Sequence, residues 1–296
     1  MMTFRERLRA PGPMVGDGAL GTMLQQRGLK PGQCPEKLNL DRPEVLEDVA
    51  RLYVEAGADI VETNTFGGTP LKLAQYGLEA RTQEINARAV AAVRKAAGGK
   101  VYVSGSCGPC GKMLEPYGDT PAEVIFDAFC TQIRSLAAEG VDLLCIETMT
   151  DLSEASLAIQ AAKSVAPALP VCATMTFDPT PRGFFTIMGV SIPQAVEGLS
   201  KGGADVVGSN CGNGIDAMVR IAEEFIRHAR LPLIIQSNAG IPKLIEGTAM
   251  YPEGPDFMAE KSRILADHGV KIIGGCCGTT PAHIAAIRKM VDGLVK

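Results

Sequence analysis

Four segments of this chain repeat one pattern, and the repeat limits the folds open to it. They are Gly57-Ala58-Asp59-Ile60-Val61-Glu62-Thr63-Asn64-Thr65, Gly140-Val141-Asp142-Leu143-Leu144-Cys145-Ile146-Glu147-Thr148, Gly203-Ala204-Asp205-Val206-Val207-Gly208-Ser209-Asn210-Cys211, and the run from Gly269 to Cys277. Each opens on glycine, passes through apolar residues and ends in polar or thiol groups. The seventh residue after the glycine is Asn64, Glu147, Asn210 and Cys276; the eighth is Thr65, Thr148, Cys211 and Cys277. Reactive groups thus recur at one depth, at the C-terminal ends of four similar strands.

The segments between them carry helix periodicity, as Ile85, Ala89 and Val93 do on one face. Strands are expected at Met14–Asp17, Asp59–Asn64, Val101–Ser104, Asp142–Ile146, Pro170–Thr176, Asp205–Val207, Pro232–Gln236 and Val270–Ile273. Helices are expected at 43–56, 81–97, 121–139, 152–165, 192–201, 215–228, 255–268 and 281–291. Eight apolar strands alternating with helices predict a (β/α)8 TIM barrel, with residues 1–296 as a single domain. An open doubly wound sheet is the runner-up. The barrel is preferred because the marked positions fall on alternate strands, whose side chains meet at the axis of a closed barrel and not in an open sheet. Long connections at 65–80, 105–120 and 177–191 read as walls of a substrate mouth.

The net charge of −4 comes with no basic run, which argues against nucleic acid or an anionic membrane surface as partner. No apolar stretch reaches the roughly 20 residues of a membrane span. Nine cysteines without a secretion signal point to a reducing cytoplasm, where thiols stay free or bind metal.

Three of those thiols stand out. Cys276 and Cys277 lie between glycines after an apolar strand, and adjacent cysteines seldom pair with each other. Both can ligate one ion, and Cys211, at the matching strand end, offers a third soft ligand. Three thiolates on zinc with a fourth position open is a catalytic arrangement. An incoming thiol would fill that position as thiolate. Asp17 and Glu147 end apolar strands and could hold an ammonium group, while the backbone amides of Gly18, Ala19, Leu20, Gly21 and Thr22 could bind a carboxylate. Asn64 shares their depth and is expected to face substrate. Local sequence equally allows Asp17 as a turn or helix-cap residue and Glu147 as partner of a buried cation. Asn238 ends the seventh strand and reads as a weak oxygen ligand, a hydrogen-bonding group or a turn residue. Cys107-Gly108-Pro109-Cys110 has redox-pair spacing but runs into Gly111 rather than a clear helix, which favours a barrel loop.

Taken together, Gly16-Asp17-Gly18-Ala19-Leu20-Gly21-Thr22, Glu62-Thr63-Asn64-Thr65-Phe66, Glu147-Thr148, Gly208-Ser209-Asn210-Cys211-Gly212 and Gly274-Gly275-Cys276-Cys277-Gly278 resemble the homocysteine S-methyltransferase family. Gln236-Ser237-Asn238-Ala239-Gly240 and Gly278-Thr279-Thr280-Pro281 most resemble the homocysteine domain of cobalamin-dependent methionine synthases. The resemblance implies zinc on Cys211, Cys276 and Cys277, with the homocysteine sulfur at the open position. It implies the amino group on Asp17 and Glu147, the carboxylate on the 18–22 turn, and Asn238 able to occupy the metal without substrate. The loop after the third strand departs from the family pattern at Cys110. The segments of folate and cobalamin domains are missing, so the methyl group is expected from a methylcorrinoid on a separate protein, or else from S-methylmethionine or betaine. A thiol-redox protein using Cys107 and Cys110, and a non-catalytic subunit binding homocysteine and zinc, are the other readings.

Overall fold

The leading glycine of each repeat ends the preceding helix. Gly57, Gly140, Gly203 and Gly269 all have φ between 77° and 100°, the left-handed region that glycine enters without penalty. Beyond three of them the next amide reaches back to close the helix end: Ala58 N donates to Tyr53 O, Ala204 N to Leu199 O and Val270 N to Leu265 O, each at 3.0–3.1 Å. The third residue of the first three repeats starts the strand. Asp59 Oδ2 accepts from Val15 N at 2.7 Å, Asp142 Oδ2 from Val103 N at 2.7 Å and Asp205 Oδ2 from Val171 N at 2.9 Å. Each aspartate therefore laces its strand to the one before it. That job recurs on every second strand, which explains why the sequence repeat does too.

In the computed structural model, which describes residues 1–245 and 248–295, the strands are β1 (Met14–Val15), β2 (Ile60–Glu62), β3 (Tyr102–Cys107), β4 (Leu143–Met149), β5 (Val171–Met175), β6 (Val206–Asn210), β7 (Leu233–Ser237) and β8 (Ile272–Gly275). They form one parallel sheet of eight, in chain order around the ring, with β8 beside β1. A bridge between Gly16 and Ile60 joins β1 to β2 and closes it. The fold is the (β/α)8 barrel that the alternation predicts, and the open sheet is excluded. The outer helices lie at Pro43–Glu55, Thr82–Ala97, Ala122–Ala138, Leu152–Val165, Ile192–Gly202, Ile215–His228, Pro255–Asp267 and Pro281–Asp292.

The floor of the barrel is apolar. Met14, Ile60, Tyr102, Cys145, Cys172, Val206, Ile234 and Ile272 fill it. The N-terminal segment, charged by composition, forms a helix at Phe4–Arg9 with a Thr3 capping box, and Phe4 plugs the floor against the Tyr102 ring at 5.5 Å. Several expected boundaries shift. Strands β3 and β4 run on to Cys107 and Met149, so Cys107 lies in a strand and the connection after β3 starts later than 105. The 177–191 connection contains a two-stranded ribbon, Asp178–Thr180 with Gly183–Phe185. A second ribbon, Lys243–Ile245 with Thr248–Met250, has no forewarning in the sequence. Among the described residues no helix is long and apolar enough to cross a membrane.

Candidate active site

Alternation along the strands sends every second residue to the axis. Above the apolar floor, the next inward positions are Gly16, Glu62, Ser104, Glu147, Thr174, Gly208, Gln236 and Gly274; Asn210, Asn238 and Cys276 come one step higher. The polar layers thus follow from strand phase, and they face the C-terminal mouth.

Two strand ends break the alternation. Thr148 and Cys211, both eighth residues of their repeats, have φ of 58° and 61°. A β-branched residue rarely tolerates this, and such strain persists only when neighbours over-determine it. Asn210 does so. Its Oδ1 accepts from Thr148 N and from Thr174 Oγ1 at 2.8 Å, and its Nδ2 donates to Thr148 Oγ1 at 2.7 Å and Glu147 Oε2 at 3.2 Å. At β4 the register to β5 also shifts between Ile146 and Met149, a bulge that re-aims Glu147 and Thr148. At β6 the kink turns the Cys211 thiol back over the mouth.

Cys276 and Cys277 follow β8, held by Cys276 N donating to Ser237 O at 2.7 Å and Ala239 N to Cys277 O at 2.9 Å. Gly275 and Gly278 flank them because side chains do not fit. A Cβ on Gly275 would stand 2.3 Å from Thr279 Oγ1, and one on Gly278 2.0 Å from the Tyr251 ring. The sulfurs of Cys211, Cys276 and Cys277 all lie within 4.8 Å of one another, and Cys211 and Cys277 are 3.8 Å apart. A tetrahedral zinc with Zn–S near 2.3 Å sets its sulfurs about 3.8 Å apart, so the donor set fits that ion. The other two thiols, Cys276 first and then Cys277, pull the Cys211 pKa well below the usual thiol range; the same contacts push Cys276 up. Asn238 lies against Cys211, 5% exposed, and its Oδ1 is buried without a partner among the described residues.

A cavity of about 300 Å³ opens beside the thiols. Its wall carries Glu62, Glu147, Glu36 and Gln236, and no Lys, Arg or His from the described residues. Glu147 accepts from Ser106 Oγ and sits against Glu62. Burial, then the Glu62 charge, drives its pKa well up. Burial raises Asp17 to about 7, opposed by the Glu62 amide, which donates to Asp17 Oδ2 at 2.8 Å. Burial, then Asp17, raises Glu62 to about 7. Asp17 itself faces a crevice behind the cavity, between β2 and the Pro43–Glu55 helix, with room for about one water.

The other expected site residues are placed as follows. Gly18–Thr22 is only half a turn, since a helix runs from Leu20 to Gln26. No side chain caps it, Ala19 N is taken by Thr279 Oγ1 at 3.0 Å, and Thr22 Oγ1 accepts from Gly278 N. Asn64 lines the cavity, but its amide is committed to Pro35 O and Asn39 Oδ1, both at 2.8 Å. Cys107 and Cys110 are fully buried, and burial lifts both thiols, Cys110 to about 12. A redox pair needs an accessible, acidic thiol, and these are neither. Sequence reasoning missed Glu62, although strand alternation from Ile60 would have found it. It also missed Gln236 as a cavity residue, and Tyr251, whose phenol sits beside Cys277 with its pKa raised to about 12, chiefly by burial. Tyr251 follows the unforeseen ribbon and carries no local signal.

The fold and site together define a class: a parallel (β/α)8 barrel with three converging thiols and a carboxylate-walled cavity at its C-terminal mouth. The model of one family, described as homocysteine S-methyltransferase, matches residues 14–291. The chain belongs to the homocysteine S-methyltransferase family. It is 37% identical over 300 residues to a methionine synthase of Mycobacterium tuberculosis and 36% over 305 residues to that of Mycobacterium leprae, covering 95% of this chain. The chain spans 25% of the length of these curated relatives. Crystal structures of the homocysteine methyltransferase MmuM from Escherichia coli, in metallated and oxidised forms, match with a TM-score of 0.80 at 24% identity, covering 96% of this chain and 98% of that one. That likeness establishes the barrel.

Proposed function

We propose that this chain transfers a methyl group to the thiolate of homocysteine, forming methionine, with zinc held by Cys211, Cys276 and Cys277. The observation that carries the reading is the convergence of the three sulfurs within 4.8 Å at the edge of a cavity walled by carboxylates without a cation of their own. Zinc bound there supplies the Lewis acidity that strips the proton from an added thiol near neutral pH, leaving a sulfur nucleophile. The protein does the rest by placement. Glu147, fixed by Ser106 and Asn210, receives the α-ammonium, with the Asp17 carboxyl behind it. The uncapped first-turn amides of the Leu20–Gln26 helix face the same cavity and take the carboxylate. Asn238 Oδ1, buried beside Cys211 and without a partner among the described residues, would offer an oxygen to a cation held there. With both ends of the amino acid held, the sulfur is presented to the mouth for in-line attack on the donor methyl.

The likeness to methionine synthases favours a methylcorrinoid as donor, ahead of S-methylmethionine or betaine. The free thiols fit the reducing cytoplasm, and one folded unit over residues 1–296 is part of the same reading. The test is methionine formation by purified, zinc-loaded protein from homocysteine with methylcobalamin, S-methylmethionine or betaine. The reading predicts turnover, fastest with methylcobalamin. No turnover with any donor, despite tight homocysteine binding, would replace it with a non-catalytic binding subunit.

A further inference from the structure

The clamp on the amino group leaves Glu62 and Gln236 without a role. Both sit at the level of the barrel where β8 and β1 carry glycines. A Cβ on Gly16 would stand 3.3 Å from Gly274 Cα, and one on Gly274 would stand 3.2 Å from Gln236 Cγ. Two bare positions therefore leave room for Gln236 to lean from β7 across β8 and β1 toward Glu62 on β2. Gln236 is 4% exposed and lines the cavity, and its Oε1 has no partner among the described residues. A buried acceptor left bare costs about 1–3 kcal/mol, so this oxygen is set for a donor that arrives with a ligand. Glu62 and Glu147 meanwhile lie within hydrogen-bonding reach of each other. Two ionised carboxylates cannot share such a bond, because neither has a proton to give.

We propose that Glu62 and Glu147 form a proton-sharing pair at the substrate-ammonium site: without substrate they hold one proton between them, and the α-ammonium of an amino-acid substrate displaces that proton while donating to Gln236 Oε1. The inference rests on the methyltransferase reading for the identity of the substrate. The step is an exchange of cations. One carboxyl O–H bond breaks, the proton leaves to bulk water through the mouth, and the ammonium takes over the charge. No electrons move and no co-reactant is needed. The groups packed around Glu62 are all acidic or neutral: Asp17 from β1, Cys145 and Glu147 from β4, and Gln236 from β7. No basic residue lines the cavity among the described residues, so nothing in the wall competes with the proton or the ammonium. Burial and these like charges keep Glu62 protonated into the neutral range.

The test uses zinc-loaded protein and L-methionine, whose thioether has no proton to lose. Calorimetric titration in two buffers of different ionisation enthalpy counts the protons released on binding. About one proton per methionine is expected below pH 7, with Kd falling about tenfold per pH unit there and levelling off above it. Glu62→Gln, which carries its own donor permanently, should release far less and flatten that slope. Gln236→Leu should keep the proton release and weaken methionine about tenfold. Methionine binding to the unaltered protein without proton release, or equal release by Glu62→Gln, would overturn the proposal and leave the methyltransferase reading standing. Failure of both homocysteine and methionine to bind would overturn both.

Discussion

Cysteine occupies both ends of this barrel, and the two ends treat it in opposite ways. At the floor, Cys145 and Cys172 are register partners on β4 and β5, packed among Met14, Ile60 and Ile234, and burial pushes both thiols up. At the mouth, Cys211, Cys276 and Cys277 converge, and neighbouring thiols pull Cys211 down. The side chain is the same, so the backbone makes the difference. The floor thiols leave regular strands. The mouth thiols leave a left-handed kink at Cys211 and a turn flanked by Gly275 and Gly278, where added Cβ atoms would collide with Thr279 and Tyr251. A cysteine is placed to act as a ligand where glycine and one strained residue aim it, and is inert where strand geometry buries it.

The contrast can be broken most severely at the mouth. Cys276→Ser should abolish zinc binding by metal analysis and lower methyl transfer by about a thousandfold or more, the scale of several kcal/mol of lost charge stabilisation. A fully active variant would mean that the trio is structural. Glu147→Gln should retain zinc yet lower kcat/KM for homocysteine about a hundredfold, as expected when one partner of a buried charge pair is removed. Equal loss of zinc and substrate binding would instead make Glu147 part of the metal site.

The carboxylates themselves predict a pH dependence. Asp17 and Glu62 have folded-state values near 7, above their ordinary 3.8 and 4.5. The folded state therefore keeps protons that the unfolded chain has released. That stability is complete below the unfolded values and is lost as pH rises through about 7. Thermal melts of zinc-loaded, substrate-free protein should show Tm falling between about pH 5 and pH 8, as stability on the order of a few kcal/mol is lost. A Tm that climbs over that window would contradict the burial of these groups. The smallest effect belongs to the floor: Cys172→Ala should cost about 1 kcal/mol of stability and leave zinc content and turnover intact.

Much of this was written in the residue pattern. The leading glycines, the lacing aspartates Asp59, Asp142 and Asp205, and the strand-end groups repeat because each repeat performs the same backbone task, so the barrel follows from them. The three sulfurs could be nominated because soft ligands at similar depth on alternate strand ends of a closed barrel converge. Other features depend on tertiary placement. Thr148 gives no local hint of a positive φ, which exists only because Asn210, 62 residues later, holds it. Asn64 looked substrate-facing by position, but its amide is held by Pro35 and Asn39, 29 and 25 residues earlier. The Phe4 plug and Tyr251 belong to segments whose composition is ordinary and whose contacts are long-range.

Zinc K-edge X-ray absorption on the zinc-loaded protein, with and without homocysteine, tests the central claim most directly. Three sulfurs near 2.3 Å are predicted without substrate, together with one lighter oxygen or nitrogen neighbour. Homocysteine should replace that lighter neighbour with a fourth sulfur. A shell that stays unchanged on adding homocysteine, or that holds fewer than three sulfurs without it, would contradict the account.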